Sequence, residues 1–99
     1  MEELSGTQRK HLRGLAHDLK PLVQIGKAGL SEAVLAEMDR SLEGHELVKV
    51  RFLDFKSRKK EICAQLAEGS RAALVGLIGN VAIFYRPREE PAKRRITLP

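Results

Sequence analysis

The stretch Val23-Gln24-Ile25-Gly26-Lys27-Ala28-Gly29-Leu30-Ser31 sets an apolar, strand-like run directly before a Gly-x-x-Gly turn and a helix start. That junction imposes strand–turn–helix order, and with the next apolar run it forms a βαβ unit, right-handed if its two strands are parallel. Two glycines permit positive φ and close backbone approach. Ser31 is a good N-cap, and Glu32 stands in the first turn, where the helix dipole favours an acid. The unpaired N–H groups of such a helix end, with Lys27 beside them, form a site for a phosphate. The tetrapeptide alone fits a plain turn better than a binding loop. The charge arranged around it shifts the reading.

Lysine and arginine number 18 against 13 acids, a formal net charge of +5 and a pI near 9.7, which points to a polyanionic partner. The charge is also segregated. Between Ser31 and Glu46 stand the acids Glu32, Glu37, Asp39, Glu43 and Glu46 against the single base Arg40, so the folded chain should have an acidic face and at least one basic face.

Ninety-nine residues suit one domain. No apolar run approaches the roughly 20 residues that span a bilayer. Met1-Glu2-Glu3-Leu4-Ser5 is acidic where a secretory signal would be basic, so a cytoplasmic protein is expected. The single Cys63 lies among apolar residues and reads as a small buried side chain.

Ser5 can cap a first helix from about Gly6 to Asp18, with Leu12, Leu15, Ala16 and Leu19 on its packed side and Lys20-Pro21 ending it. Arg9, Lys10, Arg13 and His17 then form a basic ridge along the edge of that side. A short strand, Leu22 to Ile25, enters the glycine turn. The second helix, Ser31 to Leu42, buries Leu30, Val34, Leu35, Met38 and Leu42, with Gly44 as its stop. Leu47 to Leu53 alternates as a strand, with Val48, Val50 and Phe52 facing the helices and Lys49 and Arg51 facing away. A basic loop leads into a third helix, roughly Ser57 to Glu68, stopped by Gly69. Ala72 to Leu77 and Val81 to Tyr85 read as a hairpin around Ile78-Gly79-Asn80, so the second glycine pair, Gly76 and Gly79, belongs to hairpin structure and not to a phosphate clamp. Residues 1–88 form the domain, and residues 89–99 a basic tail, mobile or loosely docked.

His11, His17, His45 and Cys63 lack metal-site spacing, so neither metal nor cofactor is expected. Converging acid–base groups, a nucleophile elbow and a nucleotide P-loop are all missing from the sequence, which argues against an enzyme or a small-molecule substrate. Among the aromatics, Phe52, Phe55 and Phe84 read as core, while Tyr85 beside Arg86 stays open as a residue that could stack on a base. A monomer without membrane contact is expected. The competing reading is a protein-interaction module that uses the acidic second helix.

Arg9-Lys10-His11-Leu12-Arg13, Leu15-Ala16-His17, Leu19-Lys20-Pro21, Ile25-Gly26-Lys27-Ala28-Gly29-Leu30, His45-Glu46-Leu47-Val48-Lys49-Val50 and Leu77-Ile78-Gly79 before Phe84-Tyr85-Arg86-Pro87 closely resemble the CRM domain, in particular its stand-alone bacterial, YhbY-type form. The resemblance implies an open two-layer α/β sandwich, αβαβαββ with a four-stranded mixed sheet, similar to the C-terminal domain of translation initiation factor three. Helices two and three are expected on one face and the first helix near the glycine turn. It further implies a non-catalytic protein that binds structured ribosomal RNA in precursors of the large ribosomal subunit. By position, the family's Gly-x-x-Gly loop corresponds to Gly26, Lys27, Ala28 and Gly29, and its basic first helix to Arg9, Lys10, Arg13, His17 and Lys20. The loop would hold backbone phosphates much as a KH domain does.

Overall fold

The structure, a computed structural model, describes residues 3–99. Helix α1 spans Gly6–Ala16 and starts with a capping box, in which the Ser5 hydroxyl accepts from the Gln8 N–H while the Gln8 side chain accepts from the Ser5 N–H. Strand β1 is Val23–Ile25, helix α2 is Glu32–His45 and strand β2 is Leu47–Phe52. A 3₁₀ turn, Lys56–Arg58, leads into helix α3, Lys59–Ser70. Strands β3, Ala73–Ile78, and β4, Val81–Tyr85, form the hairpin.

The four strands make one mixed sheet in the order β1-β2-β4-β3. β1 lies parallel to β2 with Val23 opposite Val50 and Ile25 opposite Phe52, as a crossover through α2 requires. β2–β4 and β4–β3 are antiparallel, with an irregularity between Leu74 and Gly76. The α/β class, the element order and the four-stranded mixed sheet are those expected from the sequence.

Alternation in β2 places Val48, Val50 and Phe52 in the larger core with Met38 and Leu42 of α2 and Ile62, Cys63 and Leu66 of α3. Lys49 and Arg51 point to the other face, as expected. That other face carries a second, smaller core. Leu12 and Ala16 of α1 pack there with Leu4, Leu47, Val75, Ile83 and Tyr85, while Ile96 and Leu98 are applied to the same cluster. α1 therefore rests across β2, β3 and β4 on the side away from α2 and α3, and not against the glycine turn.

Three local expectations are corrected. α1 ends at Ala16, so Leu19 is outside the helix and remains 42% exposed, and Leu15 is 45% exposed at the edge of the packed stripe. Gly44 and Gly69 lie inside α2 and α3, whose ends are formed instead by Glu46 at φ 63° and Arg71 at φ 57°. Tyr85 is 2% exposed in the second core and cannot offer its ring face to a base. The basic tail takes the docked form of the two that were expected, lying along the α1 face through contacts described below.

Candidate nucleic-acid interface

Gly26 to Gly29 is a β-turn closed by the Gly29 N–H donating to the Gly26 carbonyl at 3.0 Å. Only Gly29 uses positive φ, at +65°, and it is buried beneath Phe55, whose ring a Cβ would meet at 3.1 Å. Gly26 has ordinary φ and open space around it. The turn thus presents Lys27 and Ala28 to solvent, while its own hydrogen bond engages the Gly29 amide. Ser31 caps α2 by accepting from the Val34 N–H at 3.2 Å, so the helix start points its first amides toward the turn.

Three loops meet at this end of the sheet. The Ile25 carbonyl accepts from the Leu53 and Asp54 N–H groups, and the Phe52 N–H donates to the Asn80 carbonyl at 2.7 Å. Lys59 joins them, donating to the Gly79 carbonyl and to Asn80 Oδ1. Lys56, Arg58 and Lys60 therefore stand exposed around the same end, with Arg58 in an exposed ion pair to Glu61 at 2.9 Å.

The C-terminal half of α1 runs toward that end. Arg13 and His17 line a shallow depression with Lys49, Ile78, Val81 and Ile83. The aliphatic part of Arg13 lies over Gly76, where a Cβ would come within 3.4 Å of its Cδ. Gly76, read from the sequence only as hairpin structure, thereby lets an arginine lie flat against the sheet. Lys49 reaches up to the chain beyond α1, donating to the Leu19 carbonyl at 2.9 Å and the His17 carbonyl at 3.4 Å. Arg51 and its β1 partner Gln24 are exposed beside it on the open part of the sheet.

The sequence-derived residues consequently separate. Lys27 and Ala28 are exposed at the glycine turn, Arg13 and His17 are exposed beside Lys49, and Lys20 is exposed on a groove with His45 and Leu47 at the other end of β2. Lys10 is exposed further along α1. Arg9 is half-buried at the β3 edge near Glu68 and Arg71, its Nε without a hydrogen-bond partner. Lys49 and Arg51 were visible in the sequence as outward-facing cations, but only the placement of α1 on their face joins them to the helix ridge.

Glu46 stands in the sequence as one more acid after the second helix, within the His45-Glu46-Leu47 block of the family resemblance but with no role attached to it. It is fully buried, and its carboxylate accepts from the backbone N–H groups of Arg88 at 3.0 Å, Arg95 at 2.8 Å and Ile96 at 3.2 Å. Burial pushes its pKa up, but those three donors together with the Arg88 charge outweigh it and hold the carboxyl below its ordinary value. Arg88 in turn donates to the Glu43 and Gly44 carbonyls at the end of α2, where a cation also meets the negative end of the dipole. Burial raises the Cys63 thiol to about 11, which keeps it in its inert form. Burial and then the Glu46 charge raise the Tyr85 phenol.

Among the described residues no group of three or more His, Cys, Asp or Glu is arranged to hold a metal ion, and no helix is long and apolar enough to cross a membrane.

The sequence model of the CRS1 / YhbY (CRM) domain matches residues 4–86. A Haemophilus influenzae protein named "RNA-binding protein" is 41% identical over 91 residues, 91% of this chain and 92% of that one. The Bacillus subtilis "Probable RNA-binding protein YqeI" is 36% identical over 97 residues, covering 97% of this chain and 99% of its own. The solution structure of a Staphylococcus aureus protein described as a candidate RNA-binding protein is 41% identical, superposes with a TM-score of 0.79, and covers 97% of this chain and 99% of that one.

Proposed function

The chain belongs to the CRS1 / YhbY (CRM) domain family, and from that premise we propose that it binds structured RNA, specifically ribosomal RNA of large-subunit precursors, without catalysing a reaction. The observation that carries this reading is that the outward-facing Lys49 and Arg51 of β2 share a sheet face with α1 and its exposed Arg13 and His17, while the acidic helix α2 packs on the other face. Phosphates would be held by Lys27 and the amides at the start of α2, and flanking backbone by the α1 ridge and the two β2 cations. Relatives named as RNA-binding proteins support the same reading.

The acidic helix supports a protein-docking role less well. Two of its acids, Asp39 and Glu43, already pair with Arg86 at 2.9 and 3.3 Å and so tie α2 to the end of β4.

Titration of a large-subunit ribosomal RNA fragment tests the proposal. Lys27→Ala and Arg13→Ala should each weaken binding severalfold, whereas Arg40→Ala on the acidic helix should leave it nearly unchanged. Equal losses at all three positions would reduce the protein to a general polycation. RNA crosslinking in cells then identifies the bound site.

A further inference from the structure

Among the described residues the Glu46 carboxylate is the one fully buried charged group, and it holds no cationic side chain. Its three donors are main-chain amides of the basic segment, while the Glu46 carbonyl accepts from the Arg86 N–H at 2.8 Å. Arg88 fastens the start of the same segment to the end of α2 and donates to the Lys93 carbonyl, and Arg94 Nε closes the loop on the Arg88 carbonyl. Beyond it Ile96 and Leu98 pack into the α1-side core, and Gln8 of α1 donates to the Pro99 carbonyl at 3.3 Å. The backbone of residues 88–99 is thus fixed by an internal anion, leaving the outward side chains unneutralised. Among the described residues Arg95 has no ion-pair or hydrogen-bond partner for its side chain, and Lys93 has only the exposed Glu90 at 3.6 Å. Ile96 shares a groove with Lys20, Leu19 and Lys49, which places Arg95 next to the rim of the cationic face.

From this arrangement we infer that Glu46 is a positioning residue for a second RNA-backbone contact, made by Arg95 with Lys93 and Arg94, on the tail-side border of the α1 face. The inference rests on the RNA-binding reading and extends its footprint away from the glycine turn. It makes a prediction opposite in sign to simple charge counting. Glu46→Gln raises the net charge by one, so a binder governed by total charge would gain affinity. A protein that needs the carboxylate to order the basic segment loses it.

The experiment titrates the same ribosomal RNA fragment with wild type, Glu46→Gln, Arg95→Ala and the double variant over a range of salt. Expected are severalfold weaker binding for each single variant, a double variant hardly weaker than either, and a salt slope shallower by about 0.7–0.9 for each phosphate that is no longer neutralised. A Glu46→Gln protein that binds as well as wild type or better, or an Arg95→Ala protein with unchanged affinity and slope, overturns the inference. If Glu46→Gln does not fold, Arg95→Ala alone decides, because its side chain has no structural partner to lose. Lys27→Ala run in parallel separates the two claims. A weaker Lys27→Ala beside an unchanged Arg95→Ala leaves the glycine-turn reading standing and removes this one; the reverse pattern does the opposite.

Discussion

Gly26 and Gly29 are three residues apart in one turn, yet different physics holds each to its type. Gly29 combines φ +65° with a Phe55 ring where its Cβ would go, so Gly29→Ala meets both the left-handed penalty of about 1–2 kcal/mol and a displaced aromatic. Gly26 has neither constraint. Denaturant midpoints should fall clearly for Gly29→Ala and stay level or rise for Gly26→Ala; equal falls would mean that Gly26 is also held by packing. Any loss of RNA affinity in a Gly29 variant therefore reports on packing under the turn as well as on phosphate binding, which is why Lys27 is the cleaner probe. Glu46 is the other residue whose role is set by its surroundings. Its folded pKa lies below the unfolded one, so its contribution to stability is complete above the ordinary carboxylate pKa of about 4.3 and is lost as pH falls through the folded value. The Arg95 and Ile96 amides should lose protection against exchange as pH falls below the ordinary carboxylate range, ahead of the β2 and β4 amides. In Glu46→Ala the same two amides should exchange fast at neutral pH, with a loss on the order of 1–3 kcal/mol in global stability from the unpaired donors. Protection of Arg95 and Ile96 that persists at low pH would show that the tail is held without the carboxylate.

Among the elements, those with a regular period were legible and those with irregular ends were not. The alternation of β2 named its buried and exposed faces correctly because one residue of slip would invert every side chain. The helix ends fall away from the glycines that predict them, because Glu46, Phe55 and Arg71 hold the positive φ values at helix boundaries. At those places tertiary contacts override local preference: Glu46 is tied by the tail, and Phe55 is packed on Gly29. The same physics covers the binding face. The α1 ridge could be read from helical spacing, but its union with Lys49, Arg51 and the tail depends on which sheet face α1 covers, and no periodicity encodes that. The two misassigned glycines also make a paired prediction. Gly44 sits in α2 with open space around its missing Cβ, so Gly44→Ala should stabilise by about 0.5–1 kcal/mol. Gly69 in α3 stands where a Cβ would come 2.8 Å from Leu35 Cδ2, so the same propensity gain is offset by repacking between α2 and α3. Thermal unfolding should rank Gly44→Ala above Gly69→Ala, and the reverse order would contradict this account of the helix contact.

At the scale of the whole molecule, the sheet separates two charge distributions. Cations of α1, β2 and the tail occupy one side, while the other carries the exposed acids of α2 beside the basic start of α3. A helix with its side chains is about 10–12 Å across and rises about 1.5 Å per residue, so the Glu37 carboxylate is more than a helix diameter from phosphate bound on the α1 side and stands about 8 Å along the axis from the first turn of α2. The Debye length at physiological ionic strength is about 8 Å, and across that distance most of the repulsion is screened. Neutralising an α2 acid should therefore do little to RNA affinity at such salt, even though it raises the net charge as much as any other removal of an acid. Glu37→Gln is the suitable variant, because Glu37 is exposed and belongs to neither Arg86 ion pair. The expected result is less than about a twofold change near 0.15 M salt and a measurable gain only at ionic strengths near 0.01 M, where the Debye length grows to about 30 Å. Arg51→Gln, also one unit of charge but on the proposed binding face, should weaken binding severalfold at both. Were Glu37→Gln to strengthen binding at physiological salt as much as Arg51→Gln weakens it, affinity would follow the total charge of the chain, and the two-sided arrangement would have no part in how RNA is held.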